Sequence, residues 1–208
     1  MSDIVAGGIV GIVQILVGHP FDTIKVLIQN SKPTKLPILR YYNGAAYPFM
    51  CSFVYNSIVF PTQDRLSNKS HYIAGSIGGL IVSPITHVFD VAKVKRQTKK
   101  PLNVRILLKN KGLTASYARE TLAMTVYFGT YHDLRPHTNA LIAGGIAGSL
   151  SWLFTYPIDV VRSRQMSQNI NIRDAIAQKH LWRGFGVCIV RAFLVNSISF
   201  YTYELIKK

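Results

Sequence analysis

The apolar residues of this chain run in long blocks, Ile4 to Val17, Ile73 to Val91 and Leu141 to Val161, instead of alternating or forming a narrow stripe. A bilayer-spanning helix needs ~20 mostly apolar residues, and these blocks approach that length with Gly, Pro and a few charges inside them. The pattern predicts six helical spans, at roughly 3–30, 47–66, 70–98, 114–132, 138–166 and 188–206. Pro20 and Pro157 fall inside long spans, where the ring removes a backbone hydrogen bond and forces a kink. In the middle of the chain Val88 holds the equivalent place and Pro84 lies one turn earlier, so the kink there is expected higher or weaker.

The spans recur with a fixed period. Ala6-Gly7-Gly8-Ile9-Val10-Gly11, Ala74-Gly75-Ser76-Ile77-Gly78-Gly79 and Ala143-Gly144-Gly145-Ile146-Ala147-Gly148 are offset by 68 and 69 residues. Each block sets two glycines four apart on one helix face, which lets neighbouring backbones approach closely in a membrane. Downstream, Pro20-Phe21-Asp22-Thr23-Ile24-Lys25 is matched by Val88-Phe89-Asp90-Val91-Ala92-Lys93 and by Pro157-Ile158-Asp159-Val160-Val161-Arg162. Gly44, Gly112 and Gly184 follow, each with a phenylalanine sixteen residues on, at Phe60, Phe128 and Phe200. Three in-register copies define repeats at 1–68, 69–136 and 137–208 within one transmembrane domain, 1–208. Two spans per unit return the chain to its starting side, so the copies are parallel and compatible with a pseudo-threefold axis along the membrane normal. The expected fold is therefore an all-α membrane protein, six transmembrane helices in three pseudo-symmetric two-helix repeats around a central cavity.

Composition agrees with the membrane and removes other classes. Hydrophobic residues make up 49% of the 208 and charged residues 16%. The net charge of +15 would suit nucleic acid, but the cations gather between spans: Lys32, Lys35 and Arg40; Lys99, Lys100, Arg105, Lys109 and Lys111; Arg173, Lys179 and Arg183. The short links at 66–71 and 133–138 carry less positive charge. That asymmetry is the positive-inside pattern, with the three longer loops on one side and both termini on the other. No aromatic-plus-basic stripe points to nucleic acid. Cys51 and Cys188 have no metal-ligand spacing and give no disulfide signal. The first apolar span begins almost at Met1, so targeting information is expected to be internal. No metal or cofactor is implied, and no nucleophile–base pair, metal cluster or phosphate loop points to an enzyme.

Charge inside the spans is where chemistry is expected, because ionisable groups at membrane depth face an aqueous path or each other. Asp22 and Lys25 lie three apart on one helix face, as do Asp90 and Lys93, and Asp159 and Arg162. Three acids and three bases can close a ring, with Lys25 expected on Asp90, Lys93 on Asp159 and Arg162 on Asp22. Seven residues after each repeat glycine stand Cys51, Arg119 and Arg191, at one depth by pseudo-symmetry, with Glu120 adding one anion to two cations.

The motif Pro-Xaa-Asp-Xaa-Xaa-Lys/Arg, recurring at this phasing over essentially the whole chain, resembles the signature of the mitochondrial carrier family. The aromatic-basic-Gly element is clearest at Trp182-Arg183-Gly184 and partial at Asn43-Gly44 and Lys111-Gly112. Repeats of about seventy residues are shorter than the family's, and the deficit falls in the basic loops. The short surface helix that belongs there is thus expected truncated or absent. The resemblance implies that the ring of Asp22, Lys25, Asp90, Lys93, Asp159 and Arg162 closes the matrix side. It further implies a glutamine brace below each base, met by Gln29 and Gln97 but by Met166 at the third place. A cytoplasmic gate is expected from Asp64, His132, Arg135, Glu204 and Lys207, incomplete because Ser67 stands where a base belongs.

An Arg-acid pair such as Arg119-Glu120 is similar to that of the amino acid (ornithine-like) and carnitine carriers. Asn56-Ser57 and the last span agree with that branch, whereas Tyr55 stands where its basic-amino-acid carriers often have an acid. The implied cargo is a small zwitterion whose carboxylate meets Arg119 or Arg191 and whose ammonium meets Glu120, with Cys51, Ser52, Tyr55 and Asn56 as the third wall. Carnitine or acylcarnitine, then a nucleotide or carboxylate, remain alternative cargoes, and a degenerate membrane protein without transport is the alternative of another class. The resemblance also implies the mitochondrial inner membrane, both termini on the intermembrane-space side, lipid (cardiolipin) near Gly44, Gly112 and Gly184, a monomer, and no nucleic acid.

Overall fold

A computed structural model describes residues 3–66 and 70–207; the side chains of 3–11, 53, 56, 60, 108, 140, 141, 196, 197 and 199–207 lie outside the described set. Long and short helices alternate: α1 (Asp3–Gln29), α2 (Ile38–Tyr41), α3 (Ala46–Leu66), α4 (His71–Gln97), α5 (Val104–Lys109), α6 (Leu113–Leu134), α7 (Ala140–Gln168), α8 (Ile172–Ala177) and α9 (Phe185–Lys207). The six long helices fall on the six expected spans within a few residues. The shortest of them, α3 with 21 residues, is about 31 Å long, enough for a ~30 Å hydrocarbon layer. By length and composition alone, one helix among the described residues, α4, is apolar enough to count as a span. Other long helices carry charge within their length, as α6 does at Arg119 and Glu120.

The surface is inverted relative to a water-soluble bundle. Phe193 is 71% exposed, Phe154 58% and Leu16 54%, whereas Glu120 is 3% exposed, Arg162 5% and Lys25 6%. Large apolar side chains outside and charge inside is the distribution a bilayer solvent stabilises.

Glycine sets two kinds of contact. A Cβ on Gly75 would lie 2.6 Å from the Met124 carbonyl oxygen, and one on Gly79 would lie 2.7 Å from Thr121 Cα, so α4 and α6 touch backbone to backbone. In the third repeat the matching glycines are looser, with Tyr127 and Tyr131 ring atoms 4.0 Å away; Gly7 and Gly11 lie outside the described side chains. Gly44, Gly112 and Gly184 have φ of +87°, +114° and +92°, a left-handed turn that opens α3, α6 and α9 and that a side chain disfavours. Each is seated on the end of another hairpin's long helix. Gly44 faces Lys93 and Arg96 of α4, Gly112 faces Gln165 and Met166 of α7, and Gly184 faces Lys25 and Ile28 of α1.

The surface helices are truncated, not absent, since α2 has four residues and α5 and α8 six each. Arg164, 2% exposed, staples this end by donating from Nε to the Gln29 carbonyl (3.0 Å) and from Nη1 to the Ala175 carbonyl (2.9 Å). Above it Val26, Val91, Val94 and Met166 form an apolar cluster, with Leu107 of α5 against them.

Candidate functional site

The charged motif brings α1, α4 and α7 together through ion pairs. Lys25 Nζ lies 2.7 Å from Asp159 Oδ2, Lys93 Nζ 2.8 Å from Asp22 Oδ2, and the Arg162 guanidinium contacts Asp90. The expected ring pairs are all replaced: Lys25 does not meet Asp90, Lys93 does not meet Asp159, and Arg162 does not meet Asp22. Each base reaches the acid of the preceding repeat, not the following one. A step of three residues along a right-handed helix stops about 60° short of a full turn, so each base is offset from its acid in one fixed sense. Which neighbour that offset faces depends on the direction in which the three helices follow one another around the centre, and a linear sequence does not contain that direction.

The brace is realised once. Gln29 Nε2 donates to Asp159 Oδ2 at 3.0 Å, on the pair that Lys25 makes. Gln97 Nε2 donates instead to Thr23 Oγ1 at 3.0 Å, so it supports no ring pair. Thr23 in turn donates to the Tyr41 carbonyl at 2.6 Å, which ties α4, α1 and α2 together. Met166, 1% exposed, belongs to the apolar cluster and also lines the ionic cavity shared by the ring residues, where its thioether supplies no amide to a ring pair.

Arg119 and Arg191, expected at one depth by pseudo-symmetry, both reach ring acids. Arg119 Nη1 pairs with Glu120 Oε1 at 2.7 Å while its Nε lies 3.9 Å from Asp159 Oδ1. Glu120, 3% exposed, also receives Arg162 Nη1 at 3.2 Å. Arg191 Nε sits 2.7 Å from Asp22 Oδ1, an ion pair in which the N–H is not aimed at the oxygen. Arginine's reach accounts for the merger, since a guanidinium on a long stem bridges the turn between the two levels. The result is two ion-pair clusters, Lys25–Asp159–Arg119–Glu120–Arg162–Asp90 and Lys93–Asp22–Arg191, and every member except Glu120 lines one cavity of about 190 Å³.

A second cavity, of about 660 Å³, continues from Arg119 and Trp152 between α3, α6 and α7, and Tyr55, Tyr127 and Tyr131 line it. Tyr55 donates its hydroxyl to Met124 Sδ at 3.2 Å. Trp152 belongs to both cavities; Lys25 Nζ lies 4.3 Å and Arg119 Cζ 5.1 Å from its ring centroid, a cation–π arrangement. Of the expected third wall, Tyr55 lines the second of these two cavities. Ser52 donates its hydroxyl to the Pro48 carbonyl at 2.7 Å, Cys51 is a half-buried free thiol, and the Asn56 side chain lies outside the described residues.

At the other end, the side chains of two residues expected as a gate have described partners outside that set. Arg135 Nη1 donates to the Thr138 carbonyl at 3.4 Å, and exposed His132 stacks on His71 with ring centroids 3.6 Å apart. Asp64 is exposed, and the Glu204 and Lys207 side chains lie outside the described residues.

Two sets of residues escaped the sequence reading. Trp152 lies two turns before Asp159, and Tyr127 and Tyr131 continue the four-residue spacing from Arg119, so periodicity held a signal for all three. His19, His87 and Tyr156 each stand three residues before a ring acid. His19 Nε2 donates to the Asn43 carbonyl (3.2 Å) and Tyr156 to the Arg183 carbonyl (3.2 Å), each just before a repeat glycine. His87 bonds Ser116 (2.9 Å) beside Gly112.

Buried charges paired across helices around a cavity are what a membrane protein places along a solute path. The profile of the family described as mitochondrial carrier protein matches residues 1–69 and 135–208. The chain therefore belongs to the mitochondrial carrier family, whose members are transporters and not enzymes. It is 28% identical over 269 residues to the mitochondrial basic amino acids transporter of Bos taurus, covering 98% of this chain and 90% of the relative. To the mitochondrial arginine transporter BAC2 of Arabidopsis thaliana it is 27% identical over 265 residues, 98% and 89% of the two. The Dictyostelium discoideum mitochondrial substrate carrier family protein L is 26% identical over 274 residues, 100% and 95%. These alignments are longer than the chain itself, so the relatives hold insertions where this chain is short.

Proposed function

We propose that this carrier moves a small zwitterionic metabolite, an amino acid, across the mitochondrial inner membrane by alternating access. The carrying observation is the buried Arg119–Glu120 pair beside Arg191, with the Nε–H groups of both arginines lacking a hydrogen-bond acceptor among the described residues. An α-carboxylate fits the Arg119 fork, whose Nε has no close acceptor, since an arginine fork binds carboxylate with paired bonds. The α-ammonium fits Glu120. The names of the bovine and Arabidopsis relatives agree with an amino acid cargo.

On this reading the long helices are six spans in three parallel repeats, 1–68, 69–136 and 137–208, with both termini on the intermembrane-space side. The ring of Lys25, Lys93, Arg162 and their acids is the matrix gate, closed here and braced by Gln29. Asp64, His132, Arg135, Glu204 and Lys207 belong to the opposite gate, and the carrier works as a monomer with lipid against Gly44, Gly112 and Gly184. Proteoliposomes offered labelled amino acids, carnitine and nucleotides test the reading. Uptake of an amino acid that disappears in Arg119→Ala and Glu120→Gln supports it. Nucleotide uptake that survives Glu120→Gln, or no uptake of any solute, overturns it.

A further inference from the structure

Resting on that reading, we infer that the cargo's side chain is uncharged and bulky, aromatic or large aliphatic, and that the cavity lined by Tyr55, Tyr127, Tyr131 and Trp152 receives it. At about 660 Å³ this cavity falls in the size range of small-molecule sites. Arg119 and Trp152 line both it and the ionic cavity, so a molecule whose carboxylate sits on Arg119 can extend its side chain along α6.

The lining is apolar and aromatic in that direction. Tyr127 and Tyr131 stand one helical turn apart with rings 8° from parallel, and Phe128 meets Tyr127 edge-on with centroids 5.4 Å apart. Across from them, Gly144 and Gly148 of α7 present no side chain, and a Cβ built there would come no closer than 4.0 Å, to the Tyr127 hydroxyl and Tyr131 ring and to the Tyr127 ring respectively. Flat side chains stack or meet edge-on in such a slot.

Charge argues against a cationic side chain on two counts. Among the described residues no carboxylate lines this cavity; its one ionised lining group is Arg119. The adjoining ionic cavity is lined by five cations and three carboxylates, and Trp152 already holds two cations against its ring. A second positive group on the cargo would meet repulsion with no partner. The selectivity of this chain thus departs from what the relatives' names state for them, and Tyr55, Tyr127 and Trp152 are the residues that set it.

The test measures initial uptake of labelled L-phenylalanine, L-leucine, L-arginine and L-alanine into proteoliposomes. Phenylalanine is expected to exceed arginine at least tenfold in kcat/KM. Tyr127→Ala should raise KM for phenylalanine about fivefold while leaving alanine unchanged, and Tyr127→Phe should restore it. Tyr55→Glu should move selectivity toward arginine, which a merely structural role for Tyr55 would not do. A thermal unfolding scan of each purified variant separates lost selectivity from lost fold. Arginine favoured over phenylalanine in the unaltered protein overturns this inference and leaves the amino acid reading standing. Absence of uptake for every amino acid overturns both.

Discussion

Neutralising Asp22 and Lys93 singly and together tests the sense in which the ring closes. Their oxygen and nitrogen are 2.8 Å apart, with side chains 17% and 16% exposed. At an effective dielectric constant of about 20 that separation gives a gross attraction of about 6 kcal/mol. Desolvation offsets much of it, leaving a coupling of about 1–3 kcal/mol in a double-mutant cycle. Asp22→Asn should cost more than Lys93→Met, because it leaves Lys93 and Arg191 facing each other without their carboxylate. In thermal unfolding of purified protein, the Asp22→Asn/Lys93→Met double variant should exceed the additive expectation by about 2–10 °C. The pair Asp22→Asn/Arg162→Met should be additive, since those side chains share no ion pair here. Stronger coupling of Asp22 to Arg162 than to Lys93 would reverse the ring and refute the assignment.

Three further outcomes are expected. Gly79→Ala should lower the unfolding midpoint, by an overpacking cost of about 1–3 kcal/mol, while Gly144→Ala should not, because its added Cβ comes no closer than 4.0 Å to a neighbour. Gln29→Ala should weaken the ring by about 1.5–3 kcal/mol, the range for a hydrogen bond to a charged group, because it removes the donor on the Lys25–Asp159 pair; unfolding scans read it. On the proposed cargo chemistry, an analogue that keeps the carboxylate and lacks the ammonium should inhibit uptake without being carried, and its transport at the amino acid's rate would remove Glu120 from the coupling.

The six long helices were legible because apolar length and threefold repetition are local properties of the sequence. The ring's membership was legible for the same reason, as acid and base share a face at a spacing of three. Its pairing was not, because Lys25 choosing Asp159 over Asp90 depends on the circular order of three helices. Gln97 shows a second limit: pseudo-symmetry with Gln29 places its backbone, but the amide chooses Thr23, whose hydroxyl faces it. Arg119 and Arg191 mark a third, since repeat spacing fixes the depth of Cα and not that of a guanidinium at the end of a flexible stem.

That last departure bears on how binding and gating connect. If recognition and closure used separate charges, cargo binding would need a relay to reach the ring. Here Glu120 holds Arg119 and Arg162 together, and Asp22 holds Arg191 and Lys93. Under the proposed cargo chemistry, an ammonium on Glu120 competes with Arg162, and Arg162 is the base of the third ring pair. A carboxylate on Arg191 or Arg119 draws a cation from Asp22 or Asp159, the acids of the other two pairs. A ligand shifts an equilibrium only through its differential affinity for the two states, and charges shared between site and ring supply that difference directly. On that proposal, the stabilisation the closed ring loses is the interaction the cargo gains, so the groups that hold the ring shut in the empty carrier are those that a zwitterion would release.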